Sequence, residues 1–274
     1  MMKTFTWNKE EIDLIYTVRE LATTKIAERA TYLDATGDES QDWVIPELLA
    51  RCNLLAPAIP KEYGGRELSM RVHAALVEEL AAGCAGAAAM VVANNYAIAP
   101  ILVAGNEKLK QEYLPYLTTK NPNLACTGIN ETRTDYNLER PEQTSEDITR
   151  ISTQAIKGEN ETLINGSKDY IINGASAKFI LLLARSSDSK RKSRLQFYLV
   201  PSPLPGIEVA EVMRKTGMRS CHTVKLNFHD VVIPEDNNVG EGGGYLLLMQ
   251  TFDRNRTLLG AIAVGIAKAA YELA

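Results

Sequence analysis

The 274-residue chain is 45% hydrophobic and 23% charged, with a formal net charge of −4. That is the composition of an ordinary soluble globular protein, long enough for one large domain or two to three small ones. The mild acidity argues against nucleic acid, whose backbone needs clustered positive charge.

Residues 8–34 read as a helix. Asn8 can cap it, Glu11 completes a capping box, and Ile12, Ile15, Val18, Ala22 and Ile26 recur at helical spacing. Pro46 suits the first turn of a second helix through "ELLARCNLL", and "IPKEYGG" at 59–65 is a turn. Ser69–Ala93 is predicted as one long Ala-rich helix, with Cys84 a buried free thiol. Residues 80–106 carry no charge but are mostly Ala and Gly and include Asn94, Asn95 and Pro100. They read as buried bundle helices, and no membrane span is expected. "NEKLKQEYLPYL" at 106–117 gives another helix.

Near 121 the pattern turns to β. Asn165-Gly166 reads as a hairpin turn between apolar runs, and "KFILLLARS" and "LQFYLVP" read as strands. In "HTVKLNFHDVVIP" Val224, Leu226 and Phe228 share one face, and Lys225, Asn227 and His229 the other. "KRKSR" at 190–194 reads as a solvated loop or as an anion contact. "GEGGG" at 240–244 follows no strand and is a flexible lead into a helix rather than a dinucleotide fingerprint. Residues 245–274 form a helix with no stop signal, and its apolar face needs a cover. Within it, Asp253 and Arg256 are spaced for an exposed ion pair.

The cysteines at 52, 84, 126 and 221 have no metal-knuckle spacing, so no metal is expected and a reducing compartment is. "MMKTFTWNKEE" shows no secretory signal, and the expected location is cytoplasmic. His73, His222 and His229 lie far apart in sequence, and a surface or polar-network place is expected for each. Residues alone give a helix–sheet–helix architecture and no catalytic constellation.

In order along the chain, "IPKEYGGRELS", "VEELAAG", "LINGSKDYIINGASAKFILLLAR" and "KTGMRSCHTVKLNFHDVVIPEDNNVGEGGGYLLLMQTFDRNRTLLGAIAVGIAKAA" resemble the acyl-CoA dehydrogenase family. The resemblance implies an α+β fold: an N-terminal helical domain over 1–120, a β-barrel-like middle domain over 121–236, and the start of a C-terminal helical bundle over 237–274. It implies FAD, an acyl-CoA substrate, hydride transfer to the flavin, an electron-transferring flavoprotein as partner, and a homo- or hetero-oligomer joined through the C-terminal helices.

Carried over residue by residue, it places Thr127, Ile129, Asn130, Tyr170, Ile171 and Ile172 at the cofactor, and Asp253, Arg256 and Asp147 at the substrate. Tyr170 stands where the family has Trp, and Ile172 where it has Thr. "GINETRTDYNLERPEQTSED" occupies the place of a tight Gly-rich loop, with the glycines gone and a charged insertion between Glu131 and Asp147. The family's catalytic Glu lies beyond this chain or, in some branches, at Asn255, whose amide accepts no proton. No catalytic residue is therefore assigned here. Two functions follow: an acyl-CoA-desaturating flavoprotein whose base comes from outside this chain, or a non-catalytic or acyl-CoA-binding partner in a hetero-oligomer.

Overall fold

The computed structural model describes residues 6–37, 42–132, 151–187, 195–240 and 243–274. Helices come first, a mixed sheet follows, and a long helix comes last. The first helix, α1 (Lys9–Leu21), opens on the expected capping box. The Glu11 N–H donates to the Asn8 side chain at 2.8 Å, and the Asn8 N–H donates to the Glu11 carboxylate at 2.9 Å.

The single helix expected over 8–34 is instead α1 and α2 (Ala27–Thr36), joined by a π turn at Ala22–Ile26. Thr23 and Thr24 donate to the Arg19 and Glu20 carbonyls at 2.8 and 2.6 Å, competing for acceptors that the α ladder uses.

After α3 (Val44–Arg51), the long helix expected over Ser69–Ala93 is two: α4 (Met70–Gly83) and α5 (Ala85–Ala104). Cys84 breaks them with an extended backbone at φ −161°. The small residues around the break serve close approach rather than helix continuity. A Cβ on Gly83 would lie 2.2 Å from the Ala22 carbonyl oxygen, and one on Gly86 would lie 2.1 Å from Ser220 Oγ. Cys84 is a buried free thiol, as expected, 3.1 Å from that same hydroxyl. Helix α5 is long and apolar enough to cross a membrane, but most of it is buried inside the protein against α4, the last helix and the sheet. The expected helix over 106–117 is α6 (Glu107–Tyr113) followed by a 3₁₀ turn, Leu114–Thr118.

The strands are β1 (Leu124–Gly128), β2 (Gln154–Lys157), β3 (Glu161–Ile172), β4 (Ala177–Ser186), β5 (Leu195–Pro201), β6 (Ile207–Val212), β7 (Thr223–Pro234) and β8 (Asn238–Val239). They join in the order β6-β7-β3-β2-β4-β5-β8. Strand β1 adds in parallel to the first part of β4, and β2 adds in parallel to its end.

One face of β4 (Phe179, Leu181, Leu183) packs with helix residues Ile98, Ile101 and Leu248. The other (Ile180, Leu182, Ala184) meets Ile164, Val200, Leu226 and Phe228 from the other strands in one core. The sheet therefore folds over itself, as a barrel-like domain must. Burial of Val224, Leu226 and Phe228 follows the alternation read from the sequence.

The hairpin expected at Asn165-Gly166 is absent, because β3 runs straight through it. Gly166, at φ +144°, is a slip in register opposite β7, where a Cβ would lie 2.6 Å from Thr153 Cα. Asn165 is held by reciprocal 2.9 Å bonds with Asp230. The turn that joins β2 to β3 lies earlier, closed by the Gly158 N–H on the Glu161 carbonyl at 2.8 Å.

The last helix, α7 (Gly244–Leu273), packs on α4 and α5. A Cβ on Gly265 would meet the Glu78 carbonyl oxygen at 2.3 Å, so this crossing is close. Glu79 binds Arg19 at 2.6 Å and Lys268 at 2.9 Å, tying α4 to α1 and α7. The expectation for the histidines fails at His73, which is fully buried in α4 with neither ring nitrogen partnered. Burial pushes its pKa down to about 4, so it is neutral at pH 7.

Candidate functional site

The site is built where the exits of β1 and β3 face α5 and α7. Its foundation is one buried carboxylate. Lys168 of β3 is fully buried, and its Nζ donates to the Ile129 carbonyl at 3.1 Å and to Glu131 at 2.8 Å. Glu131 also accepts the N–H and hydroxyl of Ser152 at 2.8 and 2.6 Å, and those of Thr153 at 3.0 and 2.6 Å. Burial alone would raise the Glu131 pKa. The Lys168 charge and these donors outweigh it and bring it to about 2. Lys168 is shifted down by burial, against the opposing pull of Glu131. The exit of β1 is thereby locked to β3, and the Asp169 N–H adds a 2.9 Å bond to the Asn130 carbonyl.

A second knot fixes the sheet to the helices. Asn173, in the left-handed region at φ 67°, directs its side-chain amide to the Met90 carbonyl, Asn94 Oδ1 and the Ala125 carbonyl, each at 3.1 Å. Asn94 in turn donates to the Leu55 carbonyl and accepts the Ala125 N–H, both at 2.8 Å. Short amides can adopt φ > 0 and satisfy several buried backbone groups at once.

Between these knots the register of β3 against β7 slips, and Tyr170 sits at φ 58° with 65% of its surface exposed. The slip turns Tyr170 toward the mouth of a cleft of ≈ 360 Å³. Thr127, Ile129, Asn130, Asp169 and Ile172 form the sheet wall, while Tyr96 of α5 and Phe252, Leu259 and Ile262 of α7 form the helical one. Tyr96 and Phe252 meet edge to face, with centroids 6.4 Å apart. Between the same two helices Asn95 donates to Asn255 Oδ1 at 2.7 Å, and Asn255 donates to the Thr251 carbonyl at 2.8 Å. Two polar atoms near the cleft are buried without a partner: Thr127 Oγ1 and Asn95 Oδ1.

Residues 8–121 match the family model for the acyl-CoA dehydrogenase N-terminal domain, and residues 141–231 match that for the middle domain. A cyclohexane-1-carbonyl-CoA dehydrogenase from Geobacter metallireducens is 32% identical over 266 residues, spanning 96% of this chain and 66% of the relative. The chain belongs to the acyl-CoA dehydrogenase family. Among solved structures, butyryl-CoA dehydrogenase from Megasphaera elsdenii superposes with a TM-score of 0.85 at 27% identity, covering 98% of this chain and 68% of that one. The glutaryl-coenzyme A dehydrogenase–glutaryl-CoA complex does so with a TM-score of 0.84 at 25% identity, covering 97% and 66%. The chain thus spans about two thirds of the length of the relatives it matches.

Of the positions that the family resemblance singles out, Thr127, Ile129, Asn130, Tyr170 and Ile172 meet in the cleft. Ile171 points the other way, 1% exposed in the sheet core. Asp253 and Arg256 lie on the exposed side of α7, 3.8 Å from one another, and do not line the cleft. Asp147 and the basic run at 190–194 lie outside the described residues. Ala93 of α5 lines the cleft, whereas Ala97 and Ala99 are buried elsewhere on that helix.

Sequence reasoning missed Lys168, Asn94, Asn173, Asp169 and Met218. A lysine at an inward strand position and an Asn pair inside an Ala-rich helix were the available signals for the first two.

Proposed function

We propose that this cleft holds the flavin ring of FAD and that the assembled protein α,β-desaturates an acyl-CoA thioester. The observation that carries the reading is Thr127 Oγ1, a buried hydroxyl with no partner on the wall of a largely apolar slot. A ligand with a polar edge on a flat aromatic body answers both features. Thr127, Asn130 and the backbone of Ile129 would hold that edge. Tyr170 would cover the ring at the mouth, and Phe252, Leu259 and Ile262 would keep water out. Ile172 offers its backbone N–H but no hydroxyl. Bound FAD supplies the hydride acceptor, and the redox chemistry is its own.

The proton acceptor comes from outside this chain. Asp169 is the one carboxylate among the described residues of the cleft, and it is held by Thr132 and faces Lys225 at 3.8 Å. Asn255 is fully buried and bonded to Asn95. In this reading the domains divide near 121 and 236, and α7 joins further helices or a second subunit. An electron-transferring flavoprotein takes the electrons, in the cytoplasm.

The test is optical. The protein as it stands is incubated with FAD, and the flavin spectrum is followed through gel filtration and on adding an acyl-CoA. Retained yellow colour that Thr127→Val weakens supports the reading; a chain that stays colourless at any FAD concentration, alone or with a complementary helical subunit, overturns it.

The alternative, a non-catalytic subunit, is favoured by the Asn95–Asn255 pair, which leaves no acid at that place in α7. It predicts flavin retention or acyl-CoA binding without bleaching, even in the full assembly.

A further inference from the structure

One residue of the cleft belongs to neither wall. Met218 comes from the connection between β6 and β7 and lines the cleft beside the sheet and the two helices.

Its backbone is the unusual feature. Among the described residues, six besides glycine have φ > 0: Asn53, Glu67, Tyr170, Asn173, Met218 and Asp230. Asn and Asp tolerate this conformation, whereas a long or bulky side chain there is strained. Of the three that are neither Asn nor Asp, Tyr170 and Met218 both line the cleft. Met218 stands at φ 53°. Gly217, one place earlier, has no positive φ, and a Cβ on it would meet nothing within 4 Å. The turn thus puts its left-handed residue on the methionine and not on the adjacent glycine, where it would cost little.

The surroundings impose that conformation. The Met218 carbonyl accepts the Cys221 N–H and the Cys221 thiol, each at 3.3 Å. The Lys215 ammonium donates to the Cys221 carbonyl at 2.5 Å and to Thr223 Oγ1 at 2.8 Å. The Ser220 hydroxyl lies 3.1 Å from Cys84 Sγ, and Arg219 reaches Asp34 at 3.3 Å. Backbone strain persists where its surroundings over-determine it, and it gathers at ligand clamps. The residue so held is 37% exposed.

We propose that Met218 is a positioning residue for the flat ring held in the cleft, a thioether rim that fixes how the ring lies. Sulfur makes favourable contacts with aromatic rings, and the unbranched side chain adapts to a planar surface. The inference rests on the flavin reading of the cleft and adds to it a contact from the β6–β7 connection.

Met218→Gly removes the rim and the strain together. Its urea midpoint without ligand is expected to equal or exceed that of the parent chain. FAD is expected to bind it about fivefold more weakly, the worth of one sulfur–aromatic contact, and the visible circular dichroism of the bound flavin should change. Met218→Leu restores an apolar rim and should bind FAD more tightly than Met218→Gly does.

A midpoint that falls in Met218→Gly makes Met218 an ordinary packing residue and overturns the proposal. So does a folded Met218→Gly with parental FAD affinity and an unchanged flavin spectrum, a result that leaves the flavin reading standing. So does a Met218→Leu that binds no better than Met218→Gly. A parent chain that takes up no flavin, alone or with a complementary helical subunit, is the failure of the cleft reading itself, and the role of Met218 falls with it.

Discussion

The two walls of the cleft are held by different physics. On the sheet side, Glu131, Lys168, Asn94 and Asn173 form buried polar knots in which the described donors and acceptors are matched. On the α7 side the contact is mostly apolar, and the far face of the helix is bare: Leu246 is 63% exposed, Val264 53% and Tyr271 84%. Directional bonds fix one geometry, whereas apolar packing fixes proximity. The sheet wall is braced by its own bonds, with Thr127 Oγ1 left unpartnered, and the helical wall carries exposed apolar side chains on its outer face.

The contrast can be broken most sharply at Lys168. Lys168→Met strands the Glu131 carboxylate in the interior and is expected to cost about 3–5 kcal/mol, read as a lower midpoint in urea unfolding. A loss under about 1 kcal/mol would show that the knot is not what holds the β1 exit.

Acid tests the helical half. The unfolded chain protonates His73 below its ordinary value near 6.5, while burial delays this to about 4 in the folded state. Stability is therefore full above pH 6.5 and falls as pH drops toward 4, by on the order of 3 kcal/mol. His73→Leu should flatten that limb of the pH–stability curve; an unchanged slope would exclude His73 as its source.

A smaller effect is expected at Asn94. Asn94→Ala removes the acceptor for the Ala125 N–H and the donor to the Leu55 carbonyl, at about 2–3 kcal/mol, again by urea midpoint.

The smallest concerns the bare face. Leu246→Ser with Val264→Ser should move the midpoint by no more than ~0.5 kcal/mol while reducing self-association in light scattering. If stability drops sharply instead, that face is already covered in solution.

Much of the fold was legible because its signals are local. The Asn8–Glu11 box, the alternation of β7 and the continuous apolar run of β4 each follow from a few neighbouring residues. The failures share a cause. Asn165-Gly166 has the composition of a hairpin turn, yet Gly166 is needed so that Thr153 can pass beside it, a constraint from twelve or more residues away in the chain. Cys84 lies among good helix formers, and the break there serves the packing of Gly83 on Ala22 and Gly86 on Ser220.

For the cleft, family likeness brought five positions together on the sheet wall, but the groups that hold that wall were not visible. Lys168 pairs with a carboxylate 37 residues earlier, and Asn173 reaches an amide 79 residues earlier. No spacing rule spans such distances.

The Glu131 knot also makes the molecule a candidate for splitting. The carboxylate of Glu131 grips Ser152 and Thr153 directly, so two points of the chain 21 and 22 residues apart are fastened at one place. A chain break introduced between those two points would leave both the clamp and the pairing of β1 with β4 in place. The two pieces should remain one particle on gel filtration and come apart only in denaturant, which would let the halves be produced separately and recombined.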